Sequence, residues 1–182
     1  AAGNYVIEDR MVLEAVIKRG SKTIGRDIAL NDAVINRGSF SRILRVKVLI
    51  NNTFVDSFPG DGLIVSTPTG STGYTLSVGG PIVEPDLDLM IVSPICPHAL
   101  YSRSFITGSD RTVTAIIEEN YSNDAMLTLD GQKGYRLKGG DEVHVRKADK
   151  RVRLLSVNRR SFFDIVRKKI YYRGEESKVN EV

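Results

Sequence analysis

The chain has 182 residues, of which 41% are hydrophobic and 26% charged, with a formal net charge of +4 and a single cysteine. That length sustains one sizeable core, and the composition excludes a chain disordered throughout. No apolar run approaches the roughly 20 residues that span a bilayer, and no basic-then-apolar leader opens the sequence, so the expected compartment is the cytoplasm, without membrane partners.

The first residues, Ala1-Ala2-Gly3-Asn4, lack an initiator methionine and lead at once into the strand-like Tyr5-Val6-Ile7, which reads as the start of a fragment. Over residues 10–18 the chain alternates, with Met11, Leu13, Ala15 and Ile17 on one side, so a half-buried strand is expected. Gly20-Ser21-Lys22 reads as a turn. Residues 28–35 read as a second apolar strand interrupted by the polar pair Asn31-Asp32. Burying such a pair is costly unless it finds partners, and an edge or bulge position that meets water is the plain alternative to a binding role.

Two further strands, 44–50 and 53–58, flank Asn51-Asn52. Asparagines tolerate positive φ, which predicts a two-residue hairpin. Strands are also expected over 89–92, 105–107, 112–117, 125–129, 142–146 and 151–157, with turn signals at Asp130-Gly131 and Gly139-Gly140. Many short strands with frequent turns predict a mainly β protein, a many-stranded antiparallel β-sandwich with one short helix in the central TPTGSTGY segment and one C-terminal helix. The latter is placed over 162–170, with Ser161 as candidate cap and Asp164 as a favourable first-turn acid. Residues 1–173 are expected to form a single domain and the polar stretch 174–182 a tail.

Charge is uneven. Between Arg146 and Arg173 eleven Lys or Arg face two acids, leaving 15 basic against 20 acidic residues elsewhere. Such a band is either a solvated face or a surface for an acidic partner or a polyphosphate; nucleic acid is not expected, since no recognised binding motif accompanies it. Cys96, between Pro94 and Pro97, is read as a buried structural thiol rather than a nucleophile, and His98 and His144 lack neighbours at zinc-ligand spacing, so no metal site is expected in this chain.

The central stretch runs DGLIVSTPTGSTGYTLSVGGP over residues 61–81. Leu63-Ile64-Val65 fits a buried strand, Thr67-Pro68-Thr69-Gly70 breaks it, and residues 71–78 have length for about two helical turns before Gly79-Gly80-Pro81 ends them. This is either an ordinary strand-turn-helix corner or a helix start whose free N–H groups suit an anion. Asp61, after Pro59-Gly60, reads on its own as a turn aspartate, and Tyr74 as a core-facing aromatic or a side chain for stacking on a ligand.

TPTGSTGYTLSVGGPI, preceded by Asp61-Gly62-Leu63, resembles the signature of the NAD kinases, which usually carry Ala where this chain has Gly73. The likeness continues through Asn31-Asp32, where the family usually has Asn-Glu, and through Pro94-Ile95-Cys96-Pro97-His98. The resemblance implies the family's C-terminal β-sandwich domain alone, without the N-terminal α/β domain and its Gly-Gly-Asp-Gly motif. It implies an enzyme, as a full-length protein, that moves the γ-phosphoryl of ATP to the 2′-hydroxyl of the adenosine ribose of NAD, using a divalent metal ion, Mg2+. The carboxylate that assists belongs to the absent motif, so no catalytic residue is expected in this chain and the fragment alone is expected to be inactive.

The NAD contacts implied by that resemblance are specific. Asn31 and Asp32 match the pair that binds ribose hydroxyls, an amide and a carboxylate being suited to a vicinal diol. Asp61 matches the contact to the nicotinamide end. Thr72, Gly73, Tyr74 and Ser77 match NAD-binding positions, with Thr75 and Leu76 in the same stretch; Gln132 matches another, and Arg42 falls at a less regular one, reached from a neighbouring subunit. The family forms dimers or tetramers, so a homo-oligomer is implied. Two other readings stand beside it: a non-catalytic β-sandwich that binds nucleotide or a partner protein, and a relative of the diacylglycerol and sphingosine kinases.

Overall fold

The computed structural model describes residues 5–38, 43–99, 101–121, 124–157 and 161–168. Among the described residues twelve strands form two six-stranded sheets, with strand orders β2-β1-β12-β9-β4-β5 and β11-β10-β3-β6-β7-β8. The strands are β1 (Val6–Arg19), β2 (Lys22–Ala29), β3 (Asp32–Arg37), β4 (Leu44–Ile50), β5 (Thr53–Gly60), β6 (Gly62–Ser66), β7 (Leu89–Ile95), β8 (Phe105–Gly108), β9 (Thr112–Ile117), β10 (Ala125–Leu129), β11 (Lys133–Leu137) and β12 (Glu142–Ser156). Every strand pair with a defined register is antiparallel. A mainly β sandwich was the expected class, and this is one. Two helices join the strands among the described residues: α1 (Tyr74–Ser77), preceded by a 3-10 turn over Thr69–Thr72, and α2 over 162–168.

The chain divides into two compact units, Asp9–Val152 on one hand and 1–8 with 153–182 on the other. The larger unit holds the core. Alternation puts Met11, Leu13, Ala15 and Ile17 of β1 inside, each no more than 1% exposed, together with Val46 and Val48 of β4, Leu63 and Val65 of β6, Val113 and Ala115 of β9, and Leu127 of β10. Interdigitation of two inner faces is what a period of two residues produces when each sheet has one dry side. In the smaller unit, Phe162 and Phe163 of α2 meet edge to face at 5.4 Å and Asp164 pairs with Arg167.

The turns follow their residues. Asn51 and Asn52 take φ of 46° and 66°, the left-handed pair that a two-residue hairpin demands, and Asp130 and Gly131 repeat the device at 50° and 67°. Other features differ from the sequence pattern. The expected 28–35 strand is two strands in different sheets, because the chain crosses over at Leu30-Asn31. The expected strands 142–146 and 151–157 merge into one continuous strand, β12, which ends at Ser156, and β11 carried no strand signal of its own, Gly134 and Tyr135 sitting among exposed polar residues. The central helix is not two continuous turns: Gly73, at φ −95° and ψ −129°, is neither helical nor extended and separates the 3-10 turn from the single turn of α1. Of the expected 162–170 helix, residues 169 and 170 lie outside the described residues, as does the tail.

Part of the basic band is neutralised within the larger unit. Arg146 pairs with Glu14 at 2.7 Å, and Lys147 and Arg151 both pair with Asp88. Among the described residues no helix is long and apolar enough to cross a membrane.

Candidate functional site

The site is built around β3. At its N-terminal end the crossover from one sheet to the other leaves residues 30–32 without a full complement of ladder bonds, and two turns supply the rest. The Asp130 carboxylate accepts from the N–H groups of Leu30, Asn31 and Asp32 at 2.8, 2.7 and 3.1 Å, while the Asp130 N–H donates back to the Asp32 carbonyl at 3.1 Å. From the other side, the Thr67 hydroxyl donates to the Leu30 carbonyl at 2.6 Å and the Thr67 N–H to the Asn31 carbonyl at 2.9 Å. The same hydroxyl accepts from the N–H of Gly70 at 3.1 Å. Buried backbone polar groups must be paired, and these bonds account for the crossover's donors and acceptors.

Gly70 explains how closely the pieces fit. A Cβ there would stand 2.2 Å from the Asn31 carbonyl oxygen. The Thr67-Gly70 corner therefore lies directly on the Asn31 backbone, and from that corner the chain runs into Thr72, Gly73 and Tyr74. The half-buried Asn31 and the buried Asp32 are thus fixed to the segment that runs on into Thr72 to Ser77.

At the other end of β3, a run of roughly 17 Å at about 3.3 Å per residue, lies a cleft of about 290 Å³ lined by Asn36, Arg37, Gly38, Asp61, Tyr74, Ile95 and Cys96. Asp61 and Tyr74 were expected at the site and do share this cavity. Arg37 and Cys96 were not expected at the site: Arg37 follows the strand read over 28–35 and carried no motif, and Cys96 was read as a buried structural thiol. Arg37 Nε donates to the Asp61 carboxylate at 2.6 Å, and this bond holds Asp61 below the ordinary carboxylate range. Cys96 is exposed, not buried as expected, because the chain leaves β7 there with a left-handed φ of 43°, where strand alternation no longer governs which way a side chain faces.

Electrostatics join the two ends. Burial, and then the neighbouring Asp130 charge, raise the Asp32 carboxyl to about 6. Burial raises the Tyr74 hydroxyl, helped by the charges of Cys96, Asp61 and Asp32. Tyr74 is 44% exposed, so it lies on the wall of the cleft rather than in the core.

The remaining expected residues divide by exposure. Gly73 and Ser77 are exposed and Thr72 and Leu76 half-buried, whereas Thr75 is fully buried with its hydroxyl donating to Ser66 at 2.8 Å. Gln132 is exposed on the β10-β11 turn, its N–H bonded to the Leu129 carbonyl at 3.0 Å. Arg42 lies outside the described residues. Asp130 itself was read only as a turn signal; its spacing from Asn31, about a hundred residues along the chain, hides the contact from any local pattern. A divalent metal finds no ready-made cage here, since among the described residues no three His, Cys, Asp or Glu side chains converge.

Fold and cleft together define a two-sheet β-sandwich domain with a polar pocket of small-molecule size at a strand-turn-helix corner. The family model for the ATP-NAD kinase C-terminal domain matches residues 30–157. This chain belongs to that family.

The NAD kinase of Acetivibrio thermocellus is 54% identical over 174 residues, covering 96% of this chain and 60% of that protein. The NAD kinase of Ruminiclostridium cellulolyticum is 45% identical over 172 residues, covering 94% and 60%. This chain thus spans about 60% of the length of these curated relatives. Among solved structures, a yeast NADH kinase complexed with NADH superposes with a TM-score of 0.80 at 27% identity, over 92% of this chain and 48% of that one. An Archaeoglobus fulgidus NAD kinase in complex with ATP gives 0.70 at 26% identity, over 88% and 60%.

Proposed function

We propose that this chain is the dinucleotide-binding domain of an enzyme that transfers the γ-phosphoryl of ATP to the 2′-hydroxyl of the adenosine ribose of NAD, giving NADP. The observation that supports this reading is the pinning of the Asn31 backbone against the Thr67-Gly70 corner, from which the chain runs on into Thr72, Gly73 and Tyr74. Asn31 and Asp32 take the ribose diol, the carboxylate accepting from its hydroxyls. Asp61, held by Arg37, accepts from the carboxamide NH2 of the nicotinamide end and favours its cationic ring. Tyr74 stacks on the ligand, and Thr72, Gly73, Leu76, Ser77 and Gln132 complete the contacts, with Arg42 entering from a neighbouring subunit. Thr75 acts differently, holding the helix to Ser66 from behind.

Mg2+ accompanies ATP in this reading and neutralises phosphate charge; the residues described do not form its ligand set, and no step is assigned through it. The domain extends over residues 1–173, works in the cytoplasm and assembles with copies of itself. Exposed Ile24 and Ile28 on β2 and Phe54 and Val55 on β5, the two edge strands of one sheet, support self-association.

Calorimetry tests the reading. The chain is expected to bind NAD and to ignore glycerol phosphate, a lipid-headgroup mimic, and to form no NADP from NAD, ATP and Mg2+ by itself. Tight glycerol phosphate binding without NAD binding would overturn it, and robust NADP formation would refute the dependence on further protein. A second measurement uses Cys96. Iodoacetamide should modify this exposed thiol, bound NAD should shield it, and the adduct should weaken NAD binding by at least about tenfold by occupying the cleft. Equal labelling with and without saturating NAD, read by mass spectrometry, would place the dinucleotide elsewhere.

A further inference from the structure

The β10-β11 turn does more than reverse the chain. Asp130 adopts a left-handed φ of 50°, a conformation that short polar residues tolerate and that aims its carboxylate across to the β2-β3 crossover. Both carboxylate oxygens are used there: one takes the Leu30 N–H, the other the N–H groups of Asn31 and Asp32. Three consecutive amides converging on one anion form a fixed cradle, the reverse of the usual arrangement in which backbone amides wait for a ligand's phosphate. The return bond from the Asp130 N–H to the Asp32 carbonyl closes the ring.

We infer that Asp130 is a positioning residue for dinucleotide binding, its carboxylate fixing the backbone of residues 30–32 so that the Asn31 and Asp32 side chains are presented together. The inference deepens the NAD-binding reading and rests on it for its functional consequence, but the clamp stands on the hydrogen bonds alone. Bonds to a charged acceptor are stronger than neutral ones, so loss of the carboxylate releases all three amides at once. The turn also carries Gln132, so one element sets the crossover and supplies a contact of its own. Asp130 and Tyr74 are the titratable groups that share Asp32's electrostatic surroundings. The Asp130 charge therefore also adds to burial in raising the carboxyl that it positions.

The experiment compares Asp130→Asn and Asp130→Ala with Asp141→Asn in the 182-residue chain. Asp141 is a buried turn aspartate of similar standing, paired with Arg19 at 2.8 Å and accepting from the Lys138 N–H at 2.8 Å, but it belongs to the β11-β12 turn. By amide hydrogen exchange, both Asp130 variants should lose about tenfold or more protection at residues 30–32, while β10 and β11 keep theirs. Unchanged exchange at those three amides, or loosening confined to 125–137, overturns the inference. Asp130→Asn retains an acceptor and the side chain's volume, so it reports even if the Ala variant fails to fold.

The second arm is NAD titration against pH. Removing the Asp130 charge should weaken NAD binding by about tenfold and move its acid limb to lower pH, since Asp32 then ionises more readily. Asp141→Asn should lower Tm without moving either quantity. If Asp130→Asn binds NAD with the wild-type affinity and pH profile, the positioning role is wrong; if the wild-type chain binds no NAD at any pH, the dinucleotide reading fails while the exchange arm still decides on the clamp.

Discussion

Asp32→Asn is expected to make the protein more stable at neutral pH and worse at binding NAD. The residue is only 7% exposed, and burial together with the Asp130 charge raises its carboxyl pKa from 3.8 to about 6. A raised carboxyl pKa means that the folded state resists the charge. The penalty is absent below the unfolded value, grows as pH climbs from about 4 to about 6, and is fully present above that. Two units correspond to about 3 kcal/mol at most, or on the order of 5–10 °C in Tm for a chain of this size. An amide of the same shape escapes the cost, so melting curves of variant and wild type should diverge at pH 7.5 and converge near pH 3.5.

Binding should move the other way. A carboxylate accepts from ribose hydroxyls through a charge-assisted bond, which the neutral amide replaces with a weaker one, for a loss of about tenfold in NAD affinity. Greater stability paired with weaker binding in the variant is the expected mark of function outweighing stability at this position. If Asp32→Asn melts lower than wild type at pH 7.5, or binds NAD equally well, this account of the residue is wrong.

Gly70→Ala should have a larger effect and for a different reason. The added Cβ would stand 2.2 Å from the Asn31 oxygen, 2.7 Å from its carbonyl carbon and 3.0 Å from its Cα. All three are backbone atoms, so no side chain can swing aside. Either the Thr67-Gly70 corner or the β2-β3 crossover must retreat by about 1 Å, at a cost of roughly 3 kcal/mol or more. A displacement of that size between the two halves of the site should also weaken NAD binding by about a hundredfold.

Gly79 provides the contrast. Its φ is +79°, yet nothing lies within 4 Å of the point where an added methyl group would stand, so Gly79→Ala carries only the left-handed backbone cost of about 1 kcal/mol. Thermal melts and calorimetry on both variants separate close approach from backbone conformation. Gly70→Ala with wild-type Tm and affinity would mean that the corner and the crossover are not in register as described.

What the sequence determined by itself was the set of local rules and the family. Alternation over β1 named its buried face, paired asparagines gave the hairpin at 51–52, and the string from Thr67 to Ile82 carried enough particular residues to be matched to the NAD kinases. Tertiary structure decided where those pieces stop and what they meet. The apolar stretch around Asn31-Asp32 looked like one strand because both halves are apolar, and only the assembly of two sheets shows that the chain changes sheet there. The acid that clamps this crossover is about a hundred residues away, and the thiol expected in the core is turned outward by one left-handed residue at a strand end. Periodicity records which face of an element is dry, whereas contacts between distant segments arise from packing that no local window contains.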